Sequence, residues 1–274
     1  MRLLRILRDL AVWTVIAILS FPLLWMVLTS VKPRDQTVTF PPRLLANRLT
    51  LEHYRSLLFD TPFLHLFANS MVVAGISTLI AVLFATSGAY GLLRFRFPMR
   101  GLAAQLMLFS YLLPAVVLLV PLYVVVAALG MGDSLWGLIV TYTTFAIPFA
   151  LWLLRGFLSA LSPEVEAAAM IDGASRLEIF FEIVIPQVLP GIVATAVFTF
   201  IMGYNEYLYA MVFINRSEIM TLPPGVSQLV SEAYEVDWNR LMAAAVMITL
   251  PILVLFAIVQ RHFNAGFGAG SVKG

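Results

Sequence analysis

The chain has 274 residues, 61% of them apolar and 12% charged, with a mean hydropathy of +0.94. Soluble domains are about 45–50% apolar and about 25% charged, so too little polar surface exists here to cover a water-exposed globule. That excludes a soluble enzyme, a disordered tail and a collagen-like rod. The net charge of +2 comes from fifteen Arg and two Lys against fifteen acids, and the Arg gather at the ends of apolar runs, a membrane-flanking pattern rather than a nucleic-acid stripe. With no Cys, disulfides, thiolate metal sites and thiol nucleophiles are excluded, and His53, His65 and His262 lie too far apart in sequence to form a ligand pair.

A bilayer core about 30 Å thick takes roughly 20 apolar residues per helix, so the length holds several spans. Arg2, Arg5 and Arg8 precede an apolar run at 10–31. It exceeds the about 7–15 residues of a secretory h-region and is read as a retained first span. A polar, Pro-containing loop follows at 32–62, then a second span at 69–93. The third span, 102–129, contains Pro114 and Pro121, and the fourth, 135–154, contains Pro148. Proline inside a span is tolerated where neighbouring helices or water satisfy the freed carbonyl. After a polar interval at 155–187 come a fifth span, 188–214, and, beyond the polar 215–240 stretch, a sixth at 241–259 with a Gly-rich tail. The expected fold is all-α: a polytopic membrane protein of six transmembrane helices with a short cytoplasmic helix-turn-helix, forming one permease-like domain over 1–274.

Orientation follows from the short connections. Arg94, Arg96 and Arg100 lie between spans two and three, whereas the connection near Met131–Ser134 holds only Asp133. The former is assigned to the cytoplasm, together with the N-terminus, the 155–187 interval and the tail.

In that interval Ser162 is placed to cap a helix with Pro163 at its first position, and Glu164 and Glu166 suit its N-terminal end. Gly173 is the expected stop. Ser175 and Glu178 form a capping-box pattern for a second helix, which Pro186 should end near Ile185. Two functions fit such an element. One is an amphipathic connector resting on headgroups. The other is a docking knob, with Ala167, Ala168 and Ala169 allowing close approach, Met170 and Ile171 as apolar anchor, and Asp172 and the glutamates as a charged frame.

These residues resemble the EAA loop of ABC-importer permeases, a pattern of Glu-Ala-Ala, three residues, Gly, nine residues and Ile-x-Leu-Pro. Gly173, Ile183 and Pro186 fall at the required spacing, with Ile185 in place of Leu. One departure stands out: Ala167 occupies the Glu position, and the nearest acid is Glu166, one residue early. Further stretches extend the resemblance to the maltose-type carbohydrate importers, in particular the second permease: TSVKP at 29–33, AYGLLRFRFPMRG at 89–101, PLY at 121–123, YNEYL at 204–208, TLPPG at 221–225 and the tail GFGAGSVKG at 266–274.

The resemblance implies a non-catalytic permease subunit of an ATP-driven importer for a sugar, oligosaccharide or polyol. It implies a second homologous permease, two ATP-binding subunits and an extracytoplasmic solute-binding protein as partners. It places Glu166, Ala167, Ala168, Met170, Asp172, Gly173, Ile183 and Pro186 in ATPase-subunit docking. ATP is expected to be used by the partner subunits and no cofactor to be bound directly, since no Gly-x-x-x-x-Gly-Lys-Ser/Thr occurs. The tail reads either as a frayed end or as a contact with those subunits. Within span five, Tyr204, Asn205 and Glu206 are candidates for the substrate path, because intramembrane carboxylates usually face a bundle interior or watery cavity; a purely structural carboxylate is the alternative. A self-contained secondary transporter is the competing function class, and no repeat between the two halves supports it.

Overall fold

A computed structural model of the chain describes residues 2–37, 39, 44–231 and 236–268. In chain order these form α1 (Arg2–Ser30), α2 (Glu52–Phe59), α3 (Phe63–Arg94), α4 (Arg100–Leu112), α5 (Ala115–Ala128), α6 (Leu135–Ser159), α7 (Pro163–Ile171) and α8 (Arg176–Glu178). They continue with a π-helical segment (Ile179–Val184), α9 (Ile185–Tyr204), α10 (Leu208–Phe213), α11 (Leu222–Ser231) and α12 (Trp238–Gly268). Among the described residues, five helices are long and apolar enough to cross a membrane, six if the bent pair α4–α5 is one span. The chain is therefore an all-α polytopic membrane protein. The Gly-rich tail beyond Gly268 and the acids Glu232 and Glu235 lie outside the described residues.

Two compact units are present. The first comprises Met1–Leu64 and Val226–Ile252. Its α1 exposes large apolar side chains on every face, among them Trp13, Ile18 and Leu19, as a helix bathed in lipid does. The polar chain after α1 is held by one buried amide: Asn239 Nδ2 donates to the carbonyls of Thr29 (3.0 Å) and Lys32 (2.8 Å) and to Thr37 Oγ1 (2.6 Å). His53 Nε2 meets the same Lys32 carbonyl at 2.8 Å. Arg34 pairs with Asp237.

The second unit comprises His65–Gly225 and Leu253–Gly274. Its core lies where α3, α6 and the helix leading into α9 meet: Ala85 and Ala89 from α3, Ala150 and Leu154 from α6, and Val184 and Val188 pack together. Small residues allow this close approach, as is usual where helices pack in lipid. At Gly191 a Cβ would lie 2.4 Å from the Phe157 ring, so glycine is what lets α9 reach α6. Beyond α5, Asp133 Oδ1 accepts from the N–H of Asn215 at 2.9 Å, and Oδ2 pairs with Arg216 at 3.0 Å. The Asn215 N–H, followed by those of Arg216, holds this carboxyl below its ordinary range.

Proline shapes the unit in three ways. Pro148 and Pro190 sit inside α6 and α9 without ending them. Pro114 does break its helix: Leu113 before it is extended (φ −67°, ψ 130°), and α4 and α5 meet at a bend of 104°. The expected third span is thus two helices. Pro186 acts in a third way and corrects an expectation. The second helix of the 155–187 interval does not stop there but runs through α8 and the π-helical segment into α9, as far as Tyr204. The segment's wider turn accounts for this. Ile185 N–H bonds back to the Phe180 carbonyl, five residues earlier, and the extra residue per turn relieves the clash that a proline ring makes in a regular α-helix.

Candidate functional sites

The first site is α7 and the turn after it. Ser162 Oγ accepts from Glu164 N–H at 3.2 Å, Pro163 is the first helical residue, and the helix ends as its caps predict. Gly173 has φ +93°. Its N–H bonds to the Met170 carbonyl and that of Ala174 to the Ala169 carbonyl, the paired pattern that closes a helix through a left-handed glycine. Ser175 and Glu178 then form a complete capping box.

Around this helix the candidate residues divide by face. Ala167, Ala168, Met170, Asp172 and Gly173 are exposed, and Ile171 is 86% exposed. Leu177 and Phe181 on the following helix are exposed too. Pro186 is exposed, whereas Ile183 is half-buried against the α3–α6 core. Glu166 turns the other way. It is 6% exposed, with Oε1 accepting from Arg94 Nε at 2.6 Å and Oε2 from the Tyr90 hydroxyl at 3.1 Å. Arg94 also donates to the Leu161 carbonyl at 3.1 Å. Glu166 therefore bolts α7 to the end of α3, while Ala167, Ala168, Met170 and Ile171 present a small apolar face outward; Ala169, expected on that face, is instead half-buried against the core. Sequence reasoning missed Arg94 and Tyr90; the only signal was the Tyr-x-x-x-Arg spacing that puts both on one face of α3.

The second site surrounds Glu206. Here α9 ends at Tyr204 and α10 begins at Leu208, so Glu206 lies in a break rather than inside a continuous helix. Its Oε1 accepts from Tyr209 N–H at 2.9 Å, and its Oε2 from Ala210 N–H at 3.1 Å and the Tyr142 hydroxyl at 2.8 Å. Three donors thus meet one carboxylate. It borders a cavity of about 220 Å³ whose wall also includes Tyr142, Thr199 and Tyr209, and whose exposed rim is Ser110, Tyr111 and Ala115 at the α4–α5 break. The other two candidates do not line it. Tyr204 is 1% exposed and stacked on Phe200, and Asn205 is exposed with its amide on the Ile201 carbonyl. Tyr142, sixty-four residues away from Glu206, was not legible as its partner.

The first unit holds a separate cleft of about 930 Å³ lined by charges of both signs, including Arg34, Asp35, Arg48, Glu52 and Arg240.

Long apolar helices, a carboxylate-bordered cavity between two broken helices, and a capped helix with an outward apolar face define a multi-span membrane transport component. The chain belongs to the family described as binding-protein-dependent transport system inner membrane component, which matches residues 77–268. It is 35% identical over 256 residues to the inner membrane ABC transporter permease protein YcjP of Escherichia coli (strain K12), covering 93% of this chain and 91% of that one. It is 32% identical over 257 residues to the trehalose/maltose transport system permease protein MalG of Thermococcus litoralis, covering 93% and 91%. Its fold matches that of a bacterial ABC transporter involved in the import of the acidic polysaccharide alginate, at TM-score 0.77 and 20% identity, over 96% of this chain and 97% of that one. The protein is thus a non-catalytic ABC-importer permease subunit of the bacterial or archaeal inner membrane.

Proposed function

We propose that this chain is the second permease of a maltose-type importer, forming half of the translocation path for a sugar, oligosaccharide or related polyol. The resemblance across the whole chain supports the substrate class, as do relatives such as the trehalose/maltose permease. The observation that carries the coupling role is α7 itself: an outward face of Ala167, Ala168, Met170 and Ile171, backed by the buried Arg94–Glu166 pair.

In this reading residues 1–274 act as one permease domain beside a second homologous permease. Both termini and the 155–187 segment are cytoplasmic. Two ATP-binding subunits take up the α7 knob of each permease, through Ala167, Ala168, Met170, Asp172 and Gly173, with Ile183 and Pro186 shaping the helix behind it. Glu166 serves docking from behind, by holding the lever to α3. ATP-driven closure of the partners moves that lever and switches the path between two states. The charged cleft of the loop after α1 faces the solute-binding protein, whose approach surface charges of both signs would orient.

A ligand screen on the cognate binding protein tests the substrate class: carbohydrates or polyols are expected to stabilise it, and exclusive binding of amino acids would refute the assignment. Coupling is tested at Gly173. A β-branched residue there is strained by about 1–2 kcal/mol at positive φ, so Gly173→Val should re-aim the knob. Uptake by the reconstituted complex is expected to fall by an order of magnitude or more while ATP hydrolysis persists; uptake at the unaltered level would rule out the docking role.

A further inference from the structure

We infer that the cavity beside Glu206 is a subsite for one neutral, hydroxyl-bearing ring of the cargo, built from Thr199, Tyr142 and Glu206 of this subunit. The inference rests on the carbohydrate reading above and adds to it the place and the groups. Three observations carry it.

The first is an orphan. Thr199 is 2% exposed, it lines the cavity, and its hydroxyl has no hydrogen-bond partner among the described residues. Buried polar atoms are seldom left so. Four other buried threonine hydroxyls, of Thr29, Thr78, Thr143 and Thr221, share this state, but of the five only Thr199 lines the cavity; Thr141 and Thr195 instead donate back to the Gly137 and Gly191 carbonyls at 2.7 Å. A hydroxyl of a bound ring would complete Thr199.

The second is the chemistry of the wall. The Glu206 carboxylate already accepts three hydrogen bonds, which offset its charge without a cation, and its remaining lone pair suits a neutral O–H donor. No described residue lining the cavity is basic, which disfavours an anionic ligand. The Phe145 and Tyr209 rings, 4.9 Å apart between centroids, add an aromatic face beside these groups, the apolar-plus-polar mixture against which the C–H face of a pyranose packs.

The third is size and position. The volume of about 220 Å³ lies below the about 300–1,000 Å³ of pockets for drug-sized ligands, which suits a single sugar ring. The cavity lies where two helices are interrupted, at Leu113–Pro114 and at Asn205–Tyr207. Interrupted helices in membranes are tolerated where they line protein or water-filled cavities and mark solute sites in transporters.

The test uses the absence of Cys in the chain. In the assembled importer in nanodiscs, Met202→Cys places a single thiol in this subunit at the cavity wall, the partner subunits being stripped of theirs. Its alkylation by N-ethylmaleimide is followed with D-glucose as probe and L-proline as a hydroxyl-free comparator. Glucose is expected to slow the reaction and proline not. Adding Thr199→Val should weaken that protection by roughly three- to tenfold, the value of one hydrogen bond. Since no described residue uses the Thr199 hydroxyl, this change should leave assembly and thermal stability intact, so a loss of protection is a loss of ligand contact. Absence of protection by glucose, equal protection by proline, or full protection in Thr199→Val would each overturn the subsite. The carbohydrate reading is scored separately, by sugar uptake through the unmodified complex with its binding protein: uptake without protection rejects the subsite alone, and a complex that imports only amino acids rejects both.

Discussion

Glu166→Ala is expected to destabilise the protein by about 3–5 kcal/mol, because it leaves a buried guanidinium without its counter-ion. The Arg94 and Glu166 side chains are only 14% and 8% exposed, and the carboxylate also holds the Tyr90 hydroxyl. Arg94→Ala should cost a similar amount. The informative variant is the double replacement Arg94→Met/Glu166→Leu, which removes both charges at similar volume and should recover most of the lost stability. Glu164→Ala, an exposed carboxylate in the same first turn, should lie within about 0.5 kcal/mol of the parent. The midpoint of thermal unfolding of the purified complex reads all four. Single variants as mild as Glu164→Ala would show that the pair does not hold α7 to α3. Uptake by the double variant then asks a further question: if the lever needs only packing, transport returns with stability.

The second large effect is expected at Glu206. Alanine there strips an acceptor from three donors at once, the Tyr142 hydroxyl and the N–H groups of Tyr209 and Ala210. Leaving a buried donor unmet costs about 1–3 kcal/mol, and losing the side-chain acceptor at the start of α10 about 1 kcal/mol. Uptake should be abolished and the region around α10 should exchange its amides faster. Glu206→Gln keeps one acceptor oxygen but turns an NH₂ toward donors, so it should fall between. Tyr142→Phe removes a single bond and should be mildest, about 1 kcal/mol. The ordering Ala, then Gln, then Phe is the prediction, and hydrogen exchange at Tyr209 and Ala210 measures it. An alanine variant with protected α10 amides and normal uptake would sink the role.

Much of the local structure is legible in the residues because its causes are local. Ser162, Pro163, Gly173 and the Ser175–Glu178 pair lie within a few positions of the ends they set, and all act as expected. The spans are legible for a similar reason: each is a run of side chains that water rejects, and a run needs no partner to be recognised. Proline was legible only as a disturbance. Pro114 bends the chain by 104°, Pro148 and Pro190 are absorbed, and Pro186 is accommodated by a π-helical turn. Which of these occurs depends on what packs around the freed carbonyl, and that information sits elsewhere in the chain.

The candidate site divides along the same line. Glu206 was recognisable alone, since a carboxylate within an apolar run demands an explanation. That Tyr142 and two backbone N–H groups supply it, and that Thr199 lines the same cavity without a partner among the described residues, required α6, α9 and α10 in place. Glu166 followed the same logic in reverse. By sequence it belongs to the charged frame of a knob, and the fold turns it inward to Arg94, seventy-two residues away. The sequence by itself determined the membrane class, the approximate spans and the capped helix, because hydropathy and capping act between near neighbours or between chain and solvent. Only the tertiary structure decided which way each carboxylate points and where a cavity opens, because those depend on distant segments meeting in a medium that leaves no polar group unpartnered at low cost.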